Sequence, residues 1–192
     1  SGIAPSVRGV DGTGPALGAN AFLAGTRSRI NIQVDGRPIT YNEIINGDPQ
    51  LWDVEQVEVL RGPQSTYQGR NAVGGAVFIK TRDPGAEFEA GGRFVIGEQN
   101  TLQAAAYVSV PVVGEQLGVR VSADYKAFDS YNEMAPTIFG YDHPEHNRAH
   151  TIRAKVLVRP DGLEDFTGSF IFTTSKFRGP QVEAVRRPFS DE

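Results

Sequence analysis

The sequence predicts a small α+β domain followed by a series of long antiparallel β-strands, on three observations. Residues Asp53 to Thr81 read DVEQVEVLRGPQSTYQGRNAVGGAVFIKT, two strand-like runs joined by a turn-rich bridge that starts with Arg-Gly-Pro and ends in Gly-Gly. Beyond Pro84, apolar and polar residues alternate with period two over long stretches, the pattern of strands with one apolar face. No apolar run approaches the roughly 20 residues that a transmembrane helix needs.

Up to Pro84 the chain is rich in glycine and turn residues. Val7 to Val10 and Ile30 to Val34 have the composition of short strands, and the second runs into Asp35-Gly36, a strong turn signal. Asp48-Pro49 suits the cap of a short helix through Trp52. Val57 and Val59 alternate with Gln56, Glu58 and Leu60, which predicts a short strand partly buried on both faces. Gly62-Pro63 must stop it, because proline cannot donate to a ladder. Gln64 to Tyr67 leaves room for about one helical turn, with Gly69 placed to end it. Gly74 and Gly75 then lead into Ala76 to Thr81, an apolar second strand approached closely by other backbone.

After Pro84, a strand over about Ala90 to Ile96 precedes four longer ones. Leu102, Ala104, Ala106, Val108, Val110 and Val112 form one apolar row, broken late by Pro111. Leu117, Val119, Val121, Ala123, Tyr125 and Ala127 alternate with Gly118, Arg120, Ser122, Asp124 and Lys126. Ile152, Ala154, Val156 and Val158 alternate with Thr151, Arg153, Lys155 and Arg159, and Phe166, Gly168, Phe170 and Phe172 oppose Thr167, Ser169 and Thr173. Val113 to Gln116 and Pro160 to Asp165 are tight turns, whereas Asp129 to Asn147 is a long connection.

The Asp53 to Thr81 string resembles the end of the plug domain of TonB-dependent outer-membrane receptors, where an IE.IEVLRGP.S.LYG..A.GG.I.I.TK pattern closes a small domain before a transmembrane β-barrel begins. Two further matches support it: SVRGVDG at Ser6 to Gly12 is similar to the plug's Ile-Arg-Gly strand, and NIQVDGRPIT at Asn31 to Thr40 to its Val-Asp-Gly turn. The resemblance implies an α+β plug over residues 1–84, lacking its N-terminal part, and the first four or five strands of a barrel over 85–192. Such receptors close with about 22 strands, so the chain is expected to be an internal piece of one. The alternating rows are then expected to face lipid with their apolar side and the lumen with their polar side, over the 9 to 11 or so residues that a barrel strand needs.

The same resemblance implies roles for residues. Arg8 and Arg61, both followed by glycine, would pair with acids on the inner barrel wall and lock the plug, with Glu58 accepting backbone or arginine hydrogen bonds nearby. Gly62, Pro63, Gly74 and Gly75 would form the turns that carry the chain into the barrel. Two long irregular segments, Asp11 to Arg29 and Arg37 to Leu51, would be the apical loops of the plug, where Asn20, Phe22, Tyr41, Asn42, Glu43 and Asn46 offer amide, carboxylate and stacking groups to a ligand. The ligand class implied is a scarce nutrient, a ferric siderophore foremost, with cobalamin and saccharides as alternatives. TonB, with ExbB and ExbD, would act through a segment outside this chain to displace the plug, and the location would be the outer membrane.

Composition is compatible with this and excludes other classes. The 192 residues carry a net charge of -4, with no polybasic cluster to suit nucleic acid. Cysteine is absent, which removes disulfides and thiolate metal sites. A mean hydropathy of -0.31 does not argue against barrel strands, whose faces alternate. No nucleophile elbow, phosphate-binding glycine loop or acid-base pair appears, so neither an enzyme nor a cofactor is expected. His143, His146 and His150 lie in or beside the long connection, a weak metal candidate whose spacing matches no ligand signature. A soluble or surface-attached β-sandwich binding module would show the same period-two alternation and is the alternative reading.

Overall fold

The structure is a computed structural model, and it describes residues 6–7, 10–11, 29–40, 43, 51–62, 74–129, 146–163 and 165–179. Strands β1 (Ser6–Val7) and β2 (Val10–Asp11) form an antiparallel pair with Val7 opposite Val10. Val7 and Val10, expected within one strand, therefore belong to two strands and are paired with each other in the ladder.

A four-stranded sheet follows, built from β3 (Ile30–Val34), β4 (Arg37–Pro38), β5 (Val54–Arg61) and β6 (Gly75–Thr81) in the order β4-β3-β6-β5. Its central pair, β3 and β6, is parallel, with Ile32 opposite Val77 and Val34 opposite Ile79. That register brings Ile30, Ile32 and Ile79 into one buried cluster, against which Val34, Ile39, Val54 and Val77 pack. The turn between β3 and β4 is the Asp35-Gly36 pair anticipated from sequence. Both residues have positive φ, 49° and 80°, as a two-residue hairpin turn whose twist matches its strands requires.

Two expectations differ from the structure. β5 is an edge strand and most of its side chains are exposed, Val57 at 49% and Val59 at 52%, not partly buried on both faces, because β6 covers it on one side only. Trp52 and Asp53 stand in a turn, not in a short helix, with Asp53 at φ 59°. Asp48 and Pro49, and the helical turn expected at Gln64 to Tyr67, lie outside the described residues.

The second sheet is five strands in sequence order: β7 (Glu89–Gly97), β8 (Thr101–Val113), β9 (Leu117–Asp129), β10 (His146–Val158) and β11 (Gly168–Arg178), antiparallel throughout. Pro111 does not break β8. A register shift between Pro111 and Val113 absorbs it, since a bulge removes the need for the missing N–H. The registers align the rows read from sequence: Val108 faces Val121, Ala106 faces Ala123, and Val156 faces Phe170.

The two faces of this sheet are inverted relative to an ordinary core. Ser109, Arg120, Ser122, Thr151, Arg153 and Lys155 are buried, while Val121, Ile152, Phe94, Ile96, Phe170 and Phe172 are exposed. The cover on the polar face is the four-stranded sheet and the segment that leaves it. Gly118 approaches Pro84 so closely that a Cβ there would meet the ring at 2.7 Å, and Gly85 donates its N–H to Ser109 Oγ at 3.0 Å. A β-sandwich would turn its apolar rows inward toward a second sheet.

Gly36 tests the turn. A Cβ there meets nothing within 4 Å, so the cost of Gly36→Ala is conformational alone, about 1–2 kcal/mol for a left-handed alanine, to be read as a lower midpoint in denaturant unfolding.

Candidate functional site: the junction between the two sheets

Two of the three buried cations on the polar face of the five-stranded sheet, Arg120 and Lys155, are met by carboxylates of the four-stranded sheet and of the segment that leaves it. Arg120 of β9 grips Asp53, which precedes β5, through two parallel hydrogen bonds: Nε to Oδ2 at 2.8 Å and Nη2 to Oδ1 at 2.7 Å. Its third nitrogen donates to Glu89 at the start of β7 at 3.0 Å, and the guanidinium stacks over the Tyr107 ring at 4.2 Å. The Arg120 and Asp53 side chains are 3% and 4% exposed. Forked arginine–carboxylate geometry of this kind gives both energy and orientation.

Lys155 of β10 serves the other side. Its ammonium donates to Thr81 O at 2.9 Å and Asp83 Oδ1 at 3.0 Å, and reaches Asp35 Oδ1 at 3.4 Å. Asp35 also accepts from Thr81, its N–H at 2.9 Å and its hydroxyl at 2.7 Å. The Asp-Gly turn is thus tied to the end of β6 and to the second sheet through one carboxylate. Around Arg120, Trp52 adds a tilted contact to Tyr107 and receives Arg93 over its ring at 5.7 Å.

Outside the strands of the second sheet, titration follows these contacts. Burial pushes the Asp83 carboxyl up, but Lys155 and Lys80 outweigh it and hold it below the usual carboxylate range. Lys80 is raised by its hydrogen bond to Glu55 and by the charge of Asp83. Glu43 is lowered, chiefly by Arg37, with burial opposing and Thr40 assisting.

The residues singled out from sequence are placed as follows. Arg61 ends β5 and is exposed, and Glu58 accepts from Gln56 Nε2 at 2.7 Å. Glu43 accepts from Thr40 N and Oγ1, both at 2.9 Å, and pairs with Arg37 at 2.9 Å. Thr40-x-x-Glu43 is a capping box, a signal present in the sequence. Gly62 follows β5 with φ 89°, Gly74 donates to Arg29 O at 2.9 Å, and Gly75 opens β6 at φ 143°, a conformation that only glycine adopts readily. His146 pairs with Asp129 through Nδ1, and His150 lies four residues along the same face of β10. Arg8, Asn20, Phe22, Tyr41, Asn42, Asn46, Pro63 and His143 lie outside the described residues.

Sequence reasoning passed over Asp35, Asp53, Asp83, Arg120 and Lys155. A signal was available: Arg120 and Lys155 occupy the inward parity of alternating strands among small residues such as Gly118, Ser122 and Ala149, and long cations facing an interior need acids there.

A small α+β sheet ion-paired to the polar face of antiparallel strands, whose apolar rows point outward, is the arrangement of a plug against the wall of a barrel. Residues 1–76 match the TonB-dependent Receptor Plug Domain family. The chain is 29% identical over 142 residues to the ferrioxamine receptor of Yersinia enterocolitica, an alignment covering 74% of this chain and 17% of that protein. It is 37% identical over 82 residues to the ferrioxamine B receptor of Salmonella typhimurium, covering 41% and 11%. Among solved structures, the ferric yersiniabactin uptake receptor of Yersinia pestis superposes with a TM-score of 0.63 at 25% identity, covering 80% of this chain and 23% of that one. The pyoverdine outer membrane receptor of Pseudomonas aeruginosa gives 0.62 at 16% identity, which shows the fold, covering 77% and 20%. Residues 1–76 are thus a plug domain of the TonB-dependent receptor kind, and the chain spans only 11–23% of the length of these relatives.

Removing Arg120 leaves Asp53 a buried charge without its cation, whereas Arg120 without Asp53 would still keep Glu89. Arg120→Met is expected to lower stability by about 3–5 kcal/mol and the further change Asp53→Leu to recover most of it, read by chemical unfolding. Because the folded Asp83 carboxyl lies below its unfolded value, its stabilisation is full at neutral pH and is lost as pH falls through the folded value. Asp83→Asn is expected to flatten that part of the acid limb of an unfolding-midpoint against pH curve.

Proposed function

We propose that residues 1–84 are the plug, and residues 85–192 the opening wall strands, of an outer-membrane receptor that takes up a ferric siderophore. The observation that carries this reading is the inverted five-stranded sheet: exposed apolar rows suited to lipid on one side, and on the other buried cations neutralised by the plug. The relatives, ferrioxamine and yersiniabactin receptors among them, support an iron chelate as cargo. The family is one of receptors and transporters, not enzymes.

On this reading the β8–β9 and β10–β11 turns lie on the periplasmic side, where the chain enters β7, and the long β9–β10 connection lies outside. Asn20, Phe22, Tyr41, Asn42, Glu43 and Asn46 are the proposed ligand contacts, and Arg8 and Arg61 the proposed partners for acids elsewhere on the wall. TonB, energised through ExbB and ExbD, would pull on the plug to open a path.

The full-length receptor expressed in cells with and without TonB tests this. Uptake of radiolabelled ferric ferrioxamine or ferric yersiniabactin is expected only in the first, with surface binding in both, and Tyr41→Ala with Asn46→Ala is expected to weaken binding. Uptake independent of TonB, or uptake of cobalamin or a saccharide in place of any iron chelate, would overturn the siderophore assignment.

A further inference from the structure

The two wall cations hold the plug unequally. Arg120 spends three nitrogens on two carboxylates and its face on Tyr107, so its position and orientation are both determined. Among the described residues no second cation reaches Asp53, so pulling it from Arg120 would leave a nearly buried carboxylate bare. Lys155 is a point charge with no preferred plane, shared among three oxygens. If it withdraws, Asp83 keeps Lys80 at 3.5 Å, and Asp35 keeps the amide and hydroxyl of Thr81. Separation at Lys155 therefore strands no carboxylate and leaves the ammonium to the cleft that it lines, whereas separation at Arg120 strands Asp53 where it is nearly buried.

Beside Lys155 the two sheets already stand apart. A cleft of 440 Å³ lies between Gln33, Gln56 and Phe78 of the plug sheet and Arg159, Thr167 and Ser169 of the wall. That volume falls in the range of small-molecule sites, and its walls mix amides, hydroxyls, charge and one aromatic face.

We propose that the plug parts from the wall at Lys155 while Arg120 keeps it tethered, so that this cleft widens into the passage for a polar chelate. The proposal rests on the transport reading above, and it makes Lys155 and Asp35 positioning residues of the path.

The test uses the full-length receptor with paired cysteines joined by a short reducible bis-thiosulfonate linker. Linking Asp35→Cys to Lys155→Cys is expected to abolish energised uptake until the linker is reduced, and linking Asp53→Cys to Arg120→Cys to leave uptake at the level of its own reduced form. Gln33→Cys with Ser169→Cys, which removes neither ion pair, holds the same cleft shut and is expected to behave as the first pair. Uptake that survives the link in the Gln33/Ser169 variant, or that is lost when Asp53→Cys and Arg120→Cys are linked, overturns the proposal. Conductance of planar bilayers holding the linked receptors, read while urea loosens the plug, reports the parting without any chelate. A lack of uptake by the unsubstituted receptor would then count against the transport reading alone, and equal conductance of the linked Gln33/Ser169 and Asp53/Arg120 variants against this one.

Discussion

Arg120 and Lys155 are buried on the inner face of β9 and β10, and a charge taken out of water without a partner is costly enough that this face must be covered by acids. Much else in the structure answers to that requirement. Asp53 and Glu89 converge on Arg120, and Asp35 and Asp83 on Lys155, so the four-stranded sheet is held to the five-stranded one at two places, through Asp53 and through Asp35. The close approach of Pro84 to Gly118 and the bond from Gly85 to Ser109 fill the space between the two nodes.

The covering of the polar face decides the character of the opposite one. With cations, hydroxyls and amides turned toward the plug, the valine, isoleucine and phenylalanine rows of β7 to β11 have no protein to pack against among the described residues. In water that would be a large apolar patch, and in lipid it is the ordinary state of a barrel strand. The electrostatics of the junction and the apolarity of the outer wall are two consequences of one alternation.

Much of this was legible from residue order. The period-two rows predicted which side chains share a face on β8 to β11, because side-chain parity in a strand is set by backbone geometry alone. Asp35-Gly36 announced its turn for an equally local reason, since few residues tolerate positive φ. The misreadings have local and non-local causes. The capping role of Thr40-x-x-Glu43 was a visible signal passed over, and Pro111 was read as a break where a bulge accommodates it. The exposure of Val57 and Val59 was not visible, because an edge position depends on which strands pair, not on the strand's own composition.

By itself the sequence determined strand positions, turns, the polarity of each face and, through one string from Asp53 to Thr81, the family. Only the tertiary structure decided which charges meet. Arg120 and Asp53 are 67 positions apart, and Lys155 and Asp35 are 120 apart. No periodicity or turn chemistry spans such separations. Any of several acids could have answered either cation, and the choice was made by the parallel register of β3 on β6 and by where that sheet sits on the wall.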